Sequence, residues 1–117
     1  MKQPAVIRAL GALAHAFRLE IYRLLVRQGP AGLAAGSIGE RVGLAPSSLT
    51  FHLQALQRAG LIRQARVSRR LFYSADYAAM NGLVGYLADE CCAADLACAT
   101  DCEPKTSPRK SRSALAA

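Results

Sequence analysis

LAPSSLTFHLQALQRAGLI, residues 44–62, holds a proline near its start and a glycine near its end. Pro46 suits the first turn of a helix, where its missing N–H leaves no hydrogen bond unmade, and Gly60 suits the residue just past a helix end. On a helix between them, Leu49, His52, Leu53 and Leu56 share one side and Ser47, Thr50, Phe51, Gln54 and Arg58 the other. The first set can pack a domain, His52 included. An exposed Phe51 on an otherwise polar face is poorly explained by packing.

Upstream, SIGERVGL reads as a shorter helix closing at Gly43, with Ser37 as N-cap and Glu40 at capping-box spacing. Two short helices joined by a turn of about four residues have the shape of a helix-turn-helix. Downstream the period changes. LIRQARVSRRLFYSA carries β-branched and aromatic residues on both sides of Arg66-Val67-Ser68-Arg69, which predicts a hairpin. Working outward again, PAVIRALGALA and AFRLEIYRLLVRQ predict two opening helices. Phe17, Leu19, Ile21, Leu24, Leu25 and Val26 lie on a broad face of the second, which stops at Gly29-Pro30. Gly32 to Ala35 reads as a linker or short extended piece. Asp76 can cap a last helix with Met80, Leu83, Val84 and Leu87 on one stripe. The expected fold is mostly α, a winged helix-turn-helix of about five helices and a β-hairpin wing. It occupies residues 1–92, followed by a Cys-containing extension (93–102) and a disordered basic tail (103–117).

The chain has 117 residues, 15 Lys+Arg against 8 Asp+Glu, and a net charge of +7. Upstream of Asp89 there are 11 basic residues and three acids, Glu20, Glu40 and Asp76. So basic a body, basic mostly through Arg, suits a polyanionic partner. Apolar runs are broken by Arg, Gly or Glu, which excludes a membrane span, and the N-terminus has no apolar stretch with a cleavage site. A cytoplasmic location is expected.

The polar side of the 46–58 helix supplies groups that read duplex DNA. Ser47, Ser48 and Thr50 can bond to phosphates or bases, Gln54 can pair with adenine, Phe51 can touch a thymine methyl, and Arg58 continues the face. Arg66, Arg69 and Arg70, with Arg63 nearby, cluster around the hairpin, where they grip phosphates and add affinity rather than sequence choice. So small a module is expected to bind DNA as a two-fold homodimer. The apolar faces of the first and last helices are the surface available for pairing: Val6, Leu10, Met80, Leu83, Val84 and Leu87.

Three stretches, LAHAFRLEIYRLL, LAPSSLTFHLQALQRAGLI and RVSRRLFY, resemble the ArsR/SmtB family of metal-responsive repressors. The resemblance runs from about Ala9 to Cys98. The middle stretch carries most of it, being similar to that family's recognition helix. It implies a dimeric DNA-binding repressor and no enzyme. Two positions depart from the family pattern. Ala16 stands where Pro is usual, and Ser68 where the wing usually turns on Gly.

All four cysteines fall in ECCAADLACATDC, residues 90–102, as C-C-x5-C-x3-C. Soft thiolates select soft or borderline ions. The spacing is neither that of a zinc ribbon nor a C-x-x-C redox pair, and no His lies near it. On a continuous helix Cys91 and Cys98 would stand about 10 Å apart, so one ion needs the chain to turn back after Cys92. Three readings remain: a three-thiolate site for trivalent arsenic or antimony, a four-thiolate zinc site, and a vicinal-thiol redox sensor. No basic group flanks the pair to lower a thiolate pKa. The resemblance implies the first. Some arsenite-responsive members carry an adjacent Cys pair and a third Cys beyond the dimer helix, and Cys91, Cys92 and Cys98 match them. As(III), with Sb(III) as a second candidate, is then the inducer. Cys102 is surplus or competes with Cys98, and no organic cofactor is expected.

Overall fold

The computed structural model describes residues 1–89. Along them run α1 (Gln3–Leu13), α2 (Ala16–Gln28), β1 (Leu33–Ala34), α3 (Ala35–Val42), α4 (Pro46–Arg58), β2 (Ile62–Val67), β3 (Arg70–Ala75) and α5 (Tyr77–Ala88). This is a mostly α winged helix-turn-helix. The hairpin β2–β3 gains a third strand, because Leu33 and Ala34 pair antiparallel with Tyr73 and Phe72, giving the order β1-β3-β2.

Helix α2 lies at the centre, packed against α1, α3, α4 and β3. Its Ile21 and Leu25 are fully buried together with Ile38, Leu53, Leu56 and Leu61. Burying one such side chain contributes roughly 1.5–3 kcal/mol. The face of α2 is narrower than its apolar pattern suggests. Leu19 is 45% exposed because it falls on the line of Arg23 and Arg27, the solvent side, and Phe17 is 38% exposed. At the start of α2, His15 takes the cap position and its Nδ1 accepts from the Phe17 N–H at 3.2 Å. Ala16 is the first helical residue, where Pro would also fit.

The expected capping box at Ser37 does not form. Helix α3 begins at Ala35 directly from β1, its cap residue is Ala34, and Ser37 sits inside the first turn without a capping hydrogen bond. Pairing of Leu33–Ala34 with β3 delivers the chain to the helix three residues early, and in that register Ile38 and Gly39 face the core. The turn to α4 is compact: the Gly39 carbonyl accepts from both Gly43 N–H (2.8 Å) and Leu44 N–H (3.0 Å).

Helix α4 runs from Pro46 as expected. It ends in two crossed bonds, Gly60 N–H to Gln57 O (3.0 Å) and Leu61 N–H to Leu56 O (3.1 Å), with Gly60 at φ +79°. That is a Schellman turn, and it feeds Leu61 and Ile62 into the core as β2 begins. Asp76 caps α5 as expected, its Oδ1 accepting from the Ala79 N–H at 3.0 Å. The Tyr77 hydroxyl donates to the Val26 carbonyl at 2.9 Å and holds that helix start against the end of α2.

Residues Met1–Tyr86 form one compact unit. The expected boundary at residue 92, the segments 93–102 and 103–117, and all four cysteines lie outside the described residues. No helix among the described residues is long and apolar enough to cross a membrane.

Candidate nucleic-acid interface

Packing divides α4 along the line that its apolar period draws. Leu49, His52, Leu53 and Leu56 are buried. Ser47, Ser48, Thr50, Phe51, Gln54 and Arg58 are exposed, Phe51 to 57%. The Thr50 hydroxyl donates to the Pro46 carbonyl at 2.9 Å, which leaves its acceptor side outward. The amide of Gln54 stands on the same exposed face, open to a base edge. Phe51 carries the guanidinium of Arg18 5.4 Å from its ring centroid. This cation–π contact ties the exposed ring to α2.

His52 turns inward, and its Nδ1 accepts from Arg18 Nε at 3.1 Å. The His15 ring lies 4.6 Å from it, centroid to centroid. Burial first, then the neighbouring His15 and Arg18, lower the His52 pKa, so the imidazole is held neutral as an acceptor. Neither His15 nor Arg18 was expected at this junction. Arg18 lies 34 residues from His52, and no local pattern announces such a pair.

The wing follows from its register. Ile62↔Ala75, Gln64↔Tyr73 and Arg66↔Leu71 share one face, and Arg63↔Ser74, Ala65↔Phe72 and Val67↔Arg70 share the other. The loop is only Ser68-Arg69. Ser68 has φ +59°, and Arg69 has no positive φ, the pattern of a type II′ turn. Arg66, Arg69 and Arg70 are exposed. Arg70 stacks on Phe72 at 5.7 Å, whereas Arg63 turns back toward the Asp76 carboxylate at 3.9 Å. Arg66 and Arg70 therefore project from opposite faces of the hairpin, with Arg69 at its tip.

The residues expected at a subunit interface separate into two groups. Val6 and Leu83 are buried in the chain's own core, and Met80 packs against it. Leu10, Val84 and Leu87 remain exposed, and so does Ile7, which was not singled out. The cysteines expected to hold a metalloid, Cys91, Cys92 and Cys98, lie outside the described residues, as does Cys102.

A buried aliphatic row with a polar row behind it, flanked by an arginine wing, is the surface of a DNA reader. Residues 13–65 match the model of a helix-turn-helix domain family. The HTH-type transcriptional regulator YgaV of Escherichia coli (strain K12) is 32% identical over 83 residues, 71% of this chain and 82% of YgaV. The homodimeric winged helix-turn-helix DNA-binding domain of Mb0332 from Mycobacterium bovis, a possible ArsR-family transcriptional regulator, superposes with a TM-score of 0.59. It is 34% identical, with 74% of this chain and 81% of that one covered. The chain belongs to the ArsR family of winged-helix transcriptional regulators. An ArsR-like regulator from Rhodococcus sp. RHA1 is closer in shape, with a TM-score of 0.69 at 28% identity over 84% of this chain and 90% of that one. The nodulation protein NolR of Rhizobium meliloti is 32% identical over 80 residues, 68% of this chain, which spans 63% of NolR. As an ArsR-family regulator the chain binds DNA and is not an enzyme.

Proposed function

We propose that this ArsR-family regulator is a homodimeric repressor released from its operator by As(III), with Sb(III) as a second inducer. The observation that carries the reading is the gathering of every cysteine of the chain into residues 91–102, as an adjacent pair followed by a third and a fourth. Three thiolates match the pyramidal, three-coordinate demand of trivalent arsenic, and Cys91, Cys92 and Cys98 would hold it. Pairing through α1 and α5 is supported by the exposure of Ile7, Leu10 and Val84 and by the homodimer of Mb0332. A ligand beyond α5 would then shift the relative placement of two reading heads, a linkage of about 1–3 kcal/mol in typical cases.

The test is operator release by fluorescence anisotropy for Cys91→Ser, Cys92→Ser, Cys98→Ser and Cys102→Ser, with As(III), Zn(II) and a thiol oxidant. The first three variants are expected to bind operator and not let go with As(III), while Cys102→Ser still releases. Release by Zn(II) alone, or a Cys102→Ser protein as unresponsive as the others, replaces this site with a four-thiolate zinc site. Release by oxidant alone replaces it with a redox sensor.

A further inference from the structure

Three arginines from three helices line one concavity of about 230 Å³: Arg8 of α1, Arg18 of α2 and Arg58 of α4. Between them the lining is Gly11, Ala12, Ala55 and Ala59, and it includes no carboxylate. These small residues let α1 and α4 approach closely and leave room above them. Like charges converging on one hollow repel unless an anion joins them. Arg18 is also pre-oriented. Its Nε is engaged by His52, so the remaining guanidinium N–H groups have a set direction before any ligand arrives.

The hollow is continuous with the reading face. Arg58 closes the exposed row of α4, and Arg18 lies over Phe51 of that same row. Arg58 stands about 16 Å along the helix axis from Ser47. A recognition helix that offers its N-terminal turns to base edges therefore carries Arg58 out to the rim of the groove, where phosphates lie. We infer that Arg8, Arg18 and Arg58 form a seat for a phosphodiester of the DNA backbone, which extends the footprint beyond the recognition helix and wing. Guanidinium groups hold phosphate oxygens by charge-assisted, often bidentate hydrogen bonds. A seat of this kind sets register and affinity and carries no sequence choice. The inference rests on the DNA-binding surface described above.

Arg8 gives the cleanest test, because it is exposed and makes no intramolecular hydrogen bond or ion pair among the described residues. The full chain is titrated with labelled 30-base-pair duplexes of random sequence at several salt concentrations, as wild type, Arg8→Gln, Arg8→Lys and Arg66→Ala. Arg8→Gln is expected to flatten the slope of log K against log salt by about 0.9 per protomer, the value for one phosphate contact, and so by about 1.8 for a homodimer on DNA. It should weaken all sequences by the same factor, and Arg8→Lys should restore the slope because it keeps the charge. An unchanged slope in Arg8→Gln beside a flattened one in Arg66→Ala overturns the seat and leaves the DNA surface standing. Unchanged slopes in both overturn the seat and the surface together. In a second arm, inorganic phosphate is added without DNA while the arginine Nε–H resonances are followed by NMR. Submillimolar saturation there, with no slope change in Arg8→Gln, would make the ligand a free oxyanion and overturn the DNA assignment.

Discussion

Arg18 Nε and His52 Nδ1 stand 3.1 Å apart, and this bond joins α2 to the buried side of α4. It needs a neutral imidazole, because a protonated one has no acceptor to offer. The folded protein lowers the His52 pKa below its ordinary 6.5, by burial and then by His15 and Arg18. Below about pH 6.5 the unfolded chain therefore binds the proton more readily than the folded one. The stabilising contribution is complete above that pH and is lost as the pH falls toward the folded value. Thermal unfolding of wild type and His52→Gln at pH 7.5 and pH 5.5 should show the larger acid loss in wild type. Equal losses would remove His52 from the account.

Gln54 is exposed at the centre of the reading row. Gln54→Ala is expected to relax base preference at one position per half-site, at a cost of about 1–3 kcal/mol. Selection from randomised duplexes reads this directly. Arg69→Ala at the wing tip should weaken all sequences alike and flatten the salt dependence. A changed preference with unchanged salt dependence would mean that the wing reads bases.

Ser68 turns the wing with φ +59°, a left-handed conformation that costs a non-glycine residue roughly 1–2 kcal/mol. Glycine adopts it without that strain but loses more freedom on folding, by roughly 0.5–1 kcal/mol. Ser68→Gly is therefore expected to stabilise the domain by up to about 1.5 kcal/mol in chemical denaturation. A lower midpoint would show that the serine side chain makes a compensating contact.

Leu83 and Val84 are adjacent on α5 and answer different questions. Leu83 is 6% exposed and belongs to the core, so Leu83→Ala should cost about 2–5 kcal/mol of folding stability. Val84 is 58% exposed. Val84→Asp should leave a folded chain, because a carboxylate there stays in water, yet it should disrupt a two-fold interface that buries the position. Sedimentation should find folded monomers with weakened operator binding. A Val84→Asp dimer would move the interface away from this face.

Much of this protein was legible in its sequence because the deciding signals are local. The period of Leu49, Leu53 and Leu56 determined which side of α4 is buried, and with it which residues face outward. Pro46, Gly60 and Asp76 marked helix ends through conformational preferences that need no distant partner. Ser37 misled for the complementary reason. Its capping pattern is local too, but the strand Leu33–Ala34 pairs with β3 and starts the helix earlier. An apolar stripe is the same pattern whether the same chain or a second one covers it. Only the packing of the helices decided that Val6 and Leu83 are buried within the protomer while Ile7 and Val84 are left exposed. The hollow of Arg8, Arg18 and Arg58 had no signature at all. Three like charges far apart in a chain repel in every unfolded conformation, and their convergence follows from helices that meet because their other faces are apolar.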